Sequence, residues 1–419
     1  MSFREFEIKE LSDCIELIID HRGKTPKKLG GDWVRDGIMT ISAKNVHDGK
    51  LTNIEDIRFV EKKIYEKWMK EDVKRGDCFI SSEGATLGES LYWDRDEKIV
   101  LGQRLFCIRT NNEILDSKYF SAYIRSREYQ KEIDAAATGT SVLGMRQTAL
   151  LKTKVLIPDI MTQRYVGGLY YDINKKIETN SQINKTLEKI AQTIFKQWFV
   201  DFEFPNEDGE PYQSSYGEMV ESELGVIPKG WEIKELGDII ELYDSKRIPL
   251  SKNVRDKKDK IYPYYGAASL MDYVDEYIFD GLYILLGEDG TVVTPSGKPI
   301  LQYVWGKFWV NNHAHVITGK KGVSINYLYI LLSNLNVSGA ITGAVQLKIN
   351  QKNLKELKII MPNDMKIISQ FSEIVDKSFE KIRITTDENN VLVLLRDALL
   401  PKLMSGEIRV PLDSDCEAL

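Results

Sequence analysis

The segment IKELSDCIEL at residues 8–17 returns as IKELGDIIEL at residues 233–242, with eight of ten positions identical. A second pair, TGTSVLGMRQTALLKTKVLIP at residues 138–158 and TGAVQLKINQKNLKELKIIMP at residues 342–362, shares seven of 21 positions. Both pairs occur in the same order, so the chain contains two related halves. The halves agree at their ends and differ between them, which predicts a common structural frame around two different middles.

A long helical pattern follows each second segment. Apolar residues recur every three or four positions through residues 160–199, and no proline or further glycine interrupts them after Gly168. A similar pattern runs through residues 363–405, where Pro401 is expected to end or kink the helix near its last turn. A single 40-residue amphipathic helix cannot bury its apolar stripe. The two helices are therefore predicted to pack on each other as a long coiled coil, in which an antiparallel pairing would place the two different middles at opposite ends.

Each helix has a predicted apolar seam with polar interruptions, which tend to fix register. The first seam comprises Val166, Leu169, Ile173, Ile177, Asn180, Ile183, Leu187, Ile190, Ile194 and Trp198. The second comprises Ile368, Phe371, Val375, Ile382, Leu392, Leu395, Leu399 and Leu403, with Thr385 and Asn389 as its polar members.

Composition limits the class of protein. A chain of 419 residues has room for two or three domains, and its 42% hydrophobic and 29% charged residues are typical of a globular protein. No apolar run is long enough to span a membrane and no secretory signal opens the chain, so the expected compartment is the cytoplasm. Cys14, Cys78, Cys107 and Cys416 lack metal-site spacing and are interpreted as reduced packing residues.

Charge and motifs argue against an enzyme. The net charge of −6 means that any nucleic-acid binding must come from local basic patches. The chain has no phosphate-binding loop, no dinucleotide fingerprint and no hydrolase or metalloprotease motif. His313 and His315 could share one strand face, but no further histidine or cysteine accompanies them, so no metal site is predicted.

Several segments resemble one protein family. AQTIFKQWFVDFEFP at residues 191–205 and RDALLPKLMSGEIRV at residues 396–410 resemble the helix endings of type I restriction-modification specificity subunits. GVIPKGWEIKELGDI at residues 225–239 and GDCFISSEGATLG at residues 76–88 are also typical of that family. YPYYGAASLMDYVDEYIFDG at residues 262–281 and WVNNHAHVITG at residues 309–319 resemble a common subtype of its second domain.

The resemblance implies an α+β fold in which two mixed α/β target-recognition domains are separated by a long antiparallel two-helix coiled coil, with a pseudo-twofold internal repeat. Its domains would be target-recognition domain 1 (1–158), spacer helix 1 (159–200), a linker (201–230), target-recognition domain 2 (231–362), spacer helix 2 (363–405) and a C-terminal tail (406–419).

The resemblance also implies function and partners. Each domain would read one half of a bipartite, asymmetric site in double-stranded DNA, and the helices would set the gap between half-sites. The chain would recruit two modification subunits, joined by motor-nuclease restriction subunits. It would bind no cofactor itself, because S-adenosylmethionine, ATP and Mg would lie on those partners.

Two basic loops follow the repeated IEL triplet and are predicted to contact phosphates. The first, residues 21–28, contains Arg22, Lys24, Lys27 and Lys28 and no acid. The second, residues 244–260, has seven basic and three acidic residues and includes Lys246, Arg247 and Lys252. A merely solvated loop remains an alternative for both.

Residues with paired donors and acceptors are candidates for base contact. They are Asn45, Gln103 and Arg104 in the first half and Asn311, Asn312 and His313 in the second, although each could be structural. Tyr264 and Tyr265 could contact DNA or pack in a strand. Phe195, Trp198 and Phe199 are candidates for partner binding or core packing. The alternatives for the whole chain are a helical adaptor that reads no DNA and a stand-alone DNA-modifying enzyme.

Overall fold

The computed structural model describes residues 6–139, 142–343 and 347–410. The chain forms two compact units: unit 1 comprises residues 1–178 and 389–419, and unit 2 comprises residues 179–388. Cys416, the end of the predicted tail and small parts of the second repeated segments lie outside the described residues. Within the described part, no helix is both long enough and apolar enough to cross a membrane.

Unit 1 mixes short strands with helices. A four-stranded sheet has the order β2-β10-β7-β8, and a three-stranded sheet has the order β6-β3-β9. The strands are β1 (Glu7–Glu10), β2 (Ile15–Asp20), β3 (Ile38–Ile41), β4 (Val46–His47), β5 (Lys50–Leu51), β6 (Arg58–Val60), β7 (Cys78–Ser81), β8 (Ser90–Tyr92), β9 (Val100–Leu101), β10 (Leu105–Thr110), β11 (Ala137–Thr138), β12 (Gly144–Met145) and β13 (Lys154–Ile157). The helices are α1 (Lys62–Trp68), α2 (Ser117–Ile124), α3 (Arg127–Ala136), α4 (Gln147–Leu150) and α5 (Ile160–Phe199), whose second half belongs to unit 2.

Unit 2 contains one larger sheet of six strands, in the order β17-β22-β20-β21-β18-β19. Its strands are β14 (Met219–Ser222), β15 (Gly225–Pro228), β16 (Trp231–Glu235), β17 (Ile240–Leu242), β18 (Tyr262–Tyr265), β19 (Leu270–Val274), β20 (Phe279–Gly287), β21 (Leu301–Val310), β22 (Ala314–Gly319), β23 (Ile341–Thr342), β24 (Lys348–Ile349) and β25 (Lys358–Pro362). The helices are α6 (Lys252–Arg255), α7 (Ile325–Asn334), α8 (Gln351–Lys355) and α9 (Met365–Met404), whose second half belongs to unit 1.

The repeated segments pair with each other as strands. In unit 1, β1 and β13 are antiparallel, with Ile8 opposite Leu156. In unit 2, β16 and β25 are antiparallel, with Ile233 opposite Ile360. These four residues occupy equivalent positions in the repeats, so both units have the same pairing register. We call each β1–β13 or β16–β25 pair the closing ladder, because it joins the start of a unit's variable segment to its end.

The long helices begin just after the closing ladders, and they run antiparallel. In unit 2, the Asn180 amide donates to Glu388 at 2.8 Å, and the Thr385 hydroxyl donates to Asn184 at 2.5 Å. In unit 1, the Arg396 guanidinium donates to Asn174 at 2.8 Å. Polar residues on the seam thus fix the register, as the sequence predicts.

Parts of the predicted seam are wrong. Ile183 and Ile190 are 36% and 47% exposed, and Leu395 is 45% exposed, whereas Ala191 is buried. A helix repeats every 3.6 residues, so an apolar pattern with a slightly different spacing drifts around the helix over 40 residues. Pro401 lies inside the last turn of α9, which continues to Met404.

The predicted linker is ordered. Phe202, Phe204 and Ile227 are buried in the main core of unit 2 together with Trp231. β14 and β15 form an antiparallel hairpin in this segment. The segment is polar on average, but its three buried apolar side chains pack it against the core of unit 2.

Adjacent glycines of α5 provide a matched test of helix packing. A Cβ on Gly167 would lie 2.3 Å from the backbone nitrogen of Tyr119, whereas a Cβ on Gly168 would meet nothing within 4 Å. We expect Gly167→Ala to lower the free energy of unfolding by about 1–3 kcal/mol. Gly168→Ala should raise it by up to about 1 kcal/mol, because alanine favours helix. Equal effects of both changes in urea denaturation would contradict this packing.

Candidate nucleic-acid interface

The first basic loop is anchored by Arg22. Its guanidinium lies 2.7 Å from the Asp20 carboxylate, donates to the carbonyl of Met145 at 3.1 Å and covers the Phe106 ring at 4.3 Å. Burial alone would raise the pKa of Asp20, but hydrogen bonds and charge from Arg22 lower it. Arg22 therefore holds the loop in place, and Lys27 and Lys28 are exposed, with the Lys28 ammonium donating to the carbonyl of Gly23 at 2.7 Å.

A cavity of about 520 Å³ lies beside this loop and includes three predicted contact residues, Lys24, Gln103 and Arg104. The Gln103 amide nitrogen lies 3.5 Å from the Lys24 carbonyl oxygen. The Lys24 ammonium donates to the carbonyl of Trp68 at 2.7 Å, and burial together with nearby Lys70 lowers the pKa of Lys24. The fold thus collects distant parts of the sequence on one concave surface of unit 1.

Arg104 has an unusual backbone. Its φ of 63° lies in the left-handed region, which costs a non-glycine residue about 1 kcal/mol. Its guanidinium forms an ion pair of 2.7 Å with Glu83, and the side chain remains 58% exposed. A strained residue that presents an exposed cation beside a cavity is a candidate for ligand contact.

Asn45 is not available for base reading. Its side chain is fully buried, and its oxygen accepts hydrogen bonds from the backbone and hydroxyl of Ser42 at 3.1 and 3.0 Å. Its amide donates to the carbonyl of Asn53 at 3.2 Å. These bonds form a capping box around a short turn. The predicted role of Asn45 in base contact therefore does not fit its burial.

The second basic loop has less free charge than its sequence predicts. Arg255 pairs with Asp272 at 3.0 Å, and Lys260 pairs with the same carboxylate at 2.8 Å. Lys258 pairs with Asp275 at 2.5 Å. The acidic partners come from β19 and the turn after it, outside the loop, so the local sequence overstates the net charge. Three lysines of this loop, Lys246, Lys252 and Lys257, are exposed and form no ion pair with any of the residues that the structure describes.

Arg247 joins this loop to the turn between β21 and β22. Its guanidinium donates to the carbonyls of Asn312 and Ala314 at 3.3 and 2.6 Å and pairs with Glu288 at 2.7 Å. The Arg247 side chain is only 10% exposed, so it positions the loop and does not itself reach a ligand. Two predicted contact segments of unit 2 thus lie side by side.

A buried ionic cluster underlies this junction. The Nδ1 of His315 lies 2.5 Å from Asp244 and its Nε2 lies 2.8 Å from the carbonyl of Ile349. Both ring nitrogens therefore have a partner within hydrogen-bond distance. Burial on its own raises the pKa of Asp244, but the hydrogen bond and charge of His315 lower it below the ordinary value.

The same cluster has the residue types of a metal site, Asp244, Glu288 and His315. Cationic side chains already face its carboxylates: Arg247 lies 2.7 Å from Glu288, and Lys348 lies 3.1 Å from it. These two cations balance the charges of the two carboxylates. Electrostatics therefore favours an internal salt network over a bound metal ion.

Tyrosines and asparagines of the second half divide into buried and exposed positions. Tyr264 is 1% exposed and its hydroxyl accepts a hydrogen bond from the Leu250 backbone at 3.0 Å, while Tyr265 packs edge-on against Phe308. Asn311 is buried and accepts from the backbone nitrogen of His313 at 2.8 Å. These three residues serve packing and turn formation. The exposed candidates of this region are Asn312 and His313.

The aromatic residues at the end of α5 are core residues. Phe195, Trp198 and Phe199 are 3%, 9% and 7% exposed, and Phe199 packs against Phe371 of α9 at 5.2 Å between ring centroids. They are not an accessible partner surface. Apolar side chains that are exposed on the long helices lie elsewhere, at Met161, Tyr165, Ile183, Ile190, Ile374, Ile384, Val391, Leu394 and Leu395.

Sequence reasoning missed the remaining walls of the cavity. Trp33, Lys44, Arg58 and Trp68 line it, and Arg58 covers the Trp33 ring at 4.1 Å. They come from the loop before β3, the turn after it, β6 and α1. The only available signal was a local excess of tryptophan and basic residues across residues 33–68.

Basic and polar turns carried on a duplicated α+β frame are features of a DNA-recognition protein. Two segments, residues 4–189 and residues 228–393, match the model of a protein family described as "Type I restriction modification DNA specificity domain". The chain belongs to this family. Its members are the non-catalytic, DNA-specificity component of type I restriction-modification, so the predicted family, α+β class and non-enzymatic role are confirmed.

Related proteins match the sequence of this chain over most of its length. The specificity subunit of the type I restriction enzyme MjaIX from Methanocaldococcus jannaschii is 30% identical over 300 residues, which are 68% of this chain and 66% of the relative. The HindI specificity subunit from Haemophilus influenzae is 25% identical over 414 residues, covering 81% of this chain and 88% of that one. The crystal structure of the type I S subunit from M. genitalium has the same fold, with a TM-score of 0.62 at 14% identity and coverage of 95% and 96%.

The ionic cluster can be tested by removing one charge. Asp244→Asn removes the carboxylate that faces the buried Nδ1 of His315, and we expect a loss of about 3–5 kcal/mol of unfolding free energy at neutral pH. The pKa of Asp244 is lowered in the folded state, so its stabilisation is complete above its ordinary pKa of about 4 and declines as the pH falls below that value. Asp256→Asn, at an exposed position of the same loop, should change little. Equal losses for both variants in urea denaturation would contradict the assignment.

A substitution of Arg104 tests whether its left-handed backbone lowers the stability of the protein while its side chain increases DNA affinity. Arg104→Gly relieves the left-handed backbone, and we expect an unfolding free energy that is unchanged or up to about 1 kcal/mol higher. DNA affinity of the assembled complex should fall about tenfold. Arg95→Ala removes an exposed arginine that does not line the cavity and should leave affinity unchanged. A clear loss of stability without loss of affinity in Arg104→Gly would refute this role.

Proposed function

We propose that the chain reads a bipartite, asymmetric DNA site, with one half-site for each recognition unit. The observation that carries the proposal is the combination of one shared frame with two different interiors. Both closing ladders have the same register, whereas unit 1 builds separate four- and three-stranded sheets and unit 2 builds one sheet of six strands. Different interiors present different side chains, so the two half-sites should differ.

We further propose a division of labour among the candidate residues. Lys24, Lys27, Lys28, Lys246 and Lys252 would contact phosphates, because they are cations of the two basic loops and such contacts position a protein on DNA. Gln103, Arg104, Asn312 and His313 would contact bases, since each carries donors or acceptors at a turn. Arg22 and Arg247 would support these turns through their internal ion pairs.

The long helices are proposed to determine the gap between half-sites. α5 and α9 each contain 40 residues and pass from one unit into the other. Polar contacts such as Asn184 with Thr385 resist sliding of one helix along the other. A pair held in fixed register would give the complex one preferred gap length, as half-site spacing reflects protein geometry.

The exposed apolar residues of the helices are proposed to bind two modification subunits. Leu394 is 71% exposed and Val391 is 63% exposed in unit 1; Ile384 and Ile190 are 54% and 47% exposed in unit 2. Solvent exposure of such residues along a helix is costly unless a partner covers them. S-adenosylmethionine would then be bound by the modification subunits, and ATP and Mg by the motor-nuclease subunits.

Modularity of recognition can be tested by exchange of the variable segments. Replacing residues 21–150 by the corresponding segment of a relative should change one half-site only, and replacing residues 244–340 should change the other. Both exchanges leave the closing ladders intact, so assembly with the modification subunit should persist. Sequencing of methylated adenines in cells that express each chimaera is the measurement. Movement of both half-sites after a single exchange would refute modular reading.

The spacing role can be tested by lengthening both helices together. Four residues inserted after Gln182 in α5 and four after Thr386 in α9 add about one turn, ~6 Å, to each helix while keeping them opposite each other. We expect the preferred gap to grow by about one or two base pairs. A four-residue insertion in the exposed turn at residues 207–209 is the control and should not alter the gap. An unchanged gap in the lengthened variant would count against the helices as spacers.

A further inference from the structure

Arg104 lies opposite Glu83 in unit 1 because two neighbouring strands hold their turns together. β7 and β10 are antiparallel, with Ser81 opposite Leu105. A further backbone hydrogen bond of 2.8 Å, from the nitrogen of Ser82 to the carbonyl of Arg104, extends this pairing into the turns. The next residue, Glu83, has a carboxylate oxygen 2.7 Å from the Nε of Arg104. The sheet therefore brings this arginine and this carboxylate together.

The turn that carries Glu83 is also fixed on its other side. Glu83 pairs with Gly144 in an isolated antiparallel bridge, and the backbone nitrogen of Gly84 donates to the carbonyl of Leu143 at 2.9 Å. An ion pair between freely moving surface side chains contributes little, because holding both of them costs entropy. Here the backbone on both sides is already fixed, so the carboxylate of Glu83 can orient the guanidinium of Arg104.

The ion pair leaves the outer edge of the Arg104 guanidinium available. Its Nε faces Glu83, whereas its two terminal nitrogens form no hydrogen bond with any residue that the structure describes. The Arg104 side chain is 58% exposed, and both residues line the cavity. Two N–H groups in one plane match a partner that has two acceptors side by side.

DNA offers such paired acceptors in two places, the phosphates and the major-groove edge of guanine. The carboxylate of Glu83 repels a phosphate that approaches Arg104, whereas the edge of a base is uncharged. Guanine presents N7 and O6 as acceptors in the major groove, and the cytosine paired with it presents an amino group. An arginine beside a carboxylate thus has the donors and the acceptor that one G·C pair requires.

We propose that Arg104 reads a guanine in the half-site of unit 1, and that Glu83 positions the guanidinium and accepts a hydrogen bond from the paired cytosine. The left-handed backbone of Arg104 fits this role, because strain is retained where it places a side chain for ligand contact. The inference rests on the proposed DNA-reading function of unit 1 and adds the identity of one base pair.

The experiment uses the complete complex with its modification subunits and duplexes that contain 7-deazaguanine. This base pairs with cytosine but lacks the N7 acceptor. It replaces, one at a time, each guanine of either strand in the half-site that the segment exchange assigns to unit 1. At one position we expect the wild-type complex to bind about 3- to 30-fold more weakly, because one hydrogen bond from Arg104 is lost.

Arg104→Gly and Glu83→Gln should each reduce this loss to about twofold or less. Glu83→Gln keeps the shape of the side chain and removes the charge that holds Arg104. Arg95→Ala and Glu97→Gln are the matched controls, because these residues form an ion pair of 3.1 Å with 48% and 41% exposure but do not line the cavity. Both controls should keep the full loss. Each loss compares two affinities of the same variant, so a general change in stability does not affect it.

The outcomes separate the base assignment from the proposed function. Specific binding and methylation with no guanine in this half-site that responds to 7-deazaguanine would overturn the assignment and leave the DNA-reading function intact. A loss that persists in Arg104→Gly would mean that another residue reads the guanine, and one that persists in Glu83→Gln alone would refute the positioning role. A wild-type complex that binds no specific DNA would refute the proposed function itself, and with it this inference.

Discussion

The closing ladder is the interaction on which the rest of the structure depends. Each unit inserts more than a hundred residues between two short strands, and the antiparallel pairing of those strands makes the insertion a closed module. The backbone nitrogen of Leu11 donates to Thr153 at 2.9 Å, and that of Leu236 donates to Leu357 at 2.7 Å, which extends both ladders in the same way. The entropic cost of closing a loop grows slowly with the number of residues in it. A closing ladder can therefore hold variable segments of different length.

The ladder also directs the long helices. α5 starts three residues after β13 ends, and α9 starts three residues after β25 ends. Within unit 1, Gln163 near the start of α5 donates to the carbonyls of Ile114 and Pro158 and accepts from the backbone of Asp116. The beginning of the helix is therefore tied to both the frame and α2. A frame that fixes both the ends of the variable segment and the start of the helix lets recognition vary without disturbing assembly.

The sequence was most informative where patterns are long or repeated. The limits of α5 follow from apolar periodicity, whereas the antiparallel pairing was implied by the family resemblance. The repeats predicted a common frame, but not that its two ends pair with each other. Surface charge was less predictable, because Asp272 and Asp275 neutralise cations more than ten residues away. The cavity could not be predicted at all, since its walls come from separate elements that only the fold brings together.

The central claim is that one frame presents two independent DNA readers. Single-molecule sequencing of methylated adenines, in cells that express this chain with a modification subunit of the same system, tests it most directly. The account predicts one motif with two different half-sites and a gap of fixed length. A palindromic or uninterrupted motif would contradict it, and so would a stable complex that methylates no defined sequence.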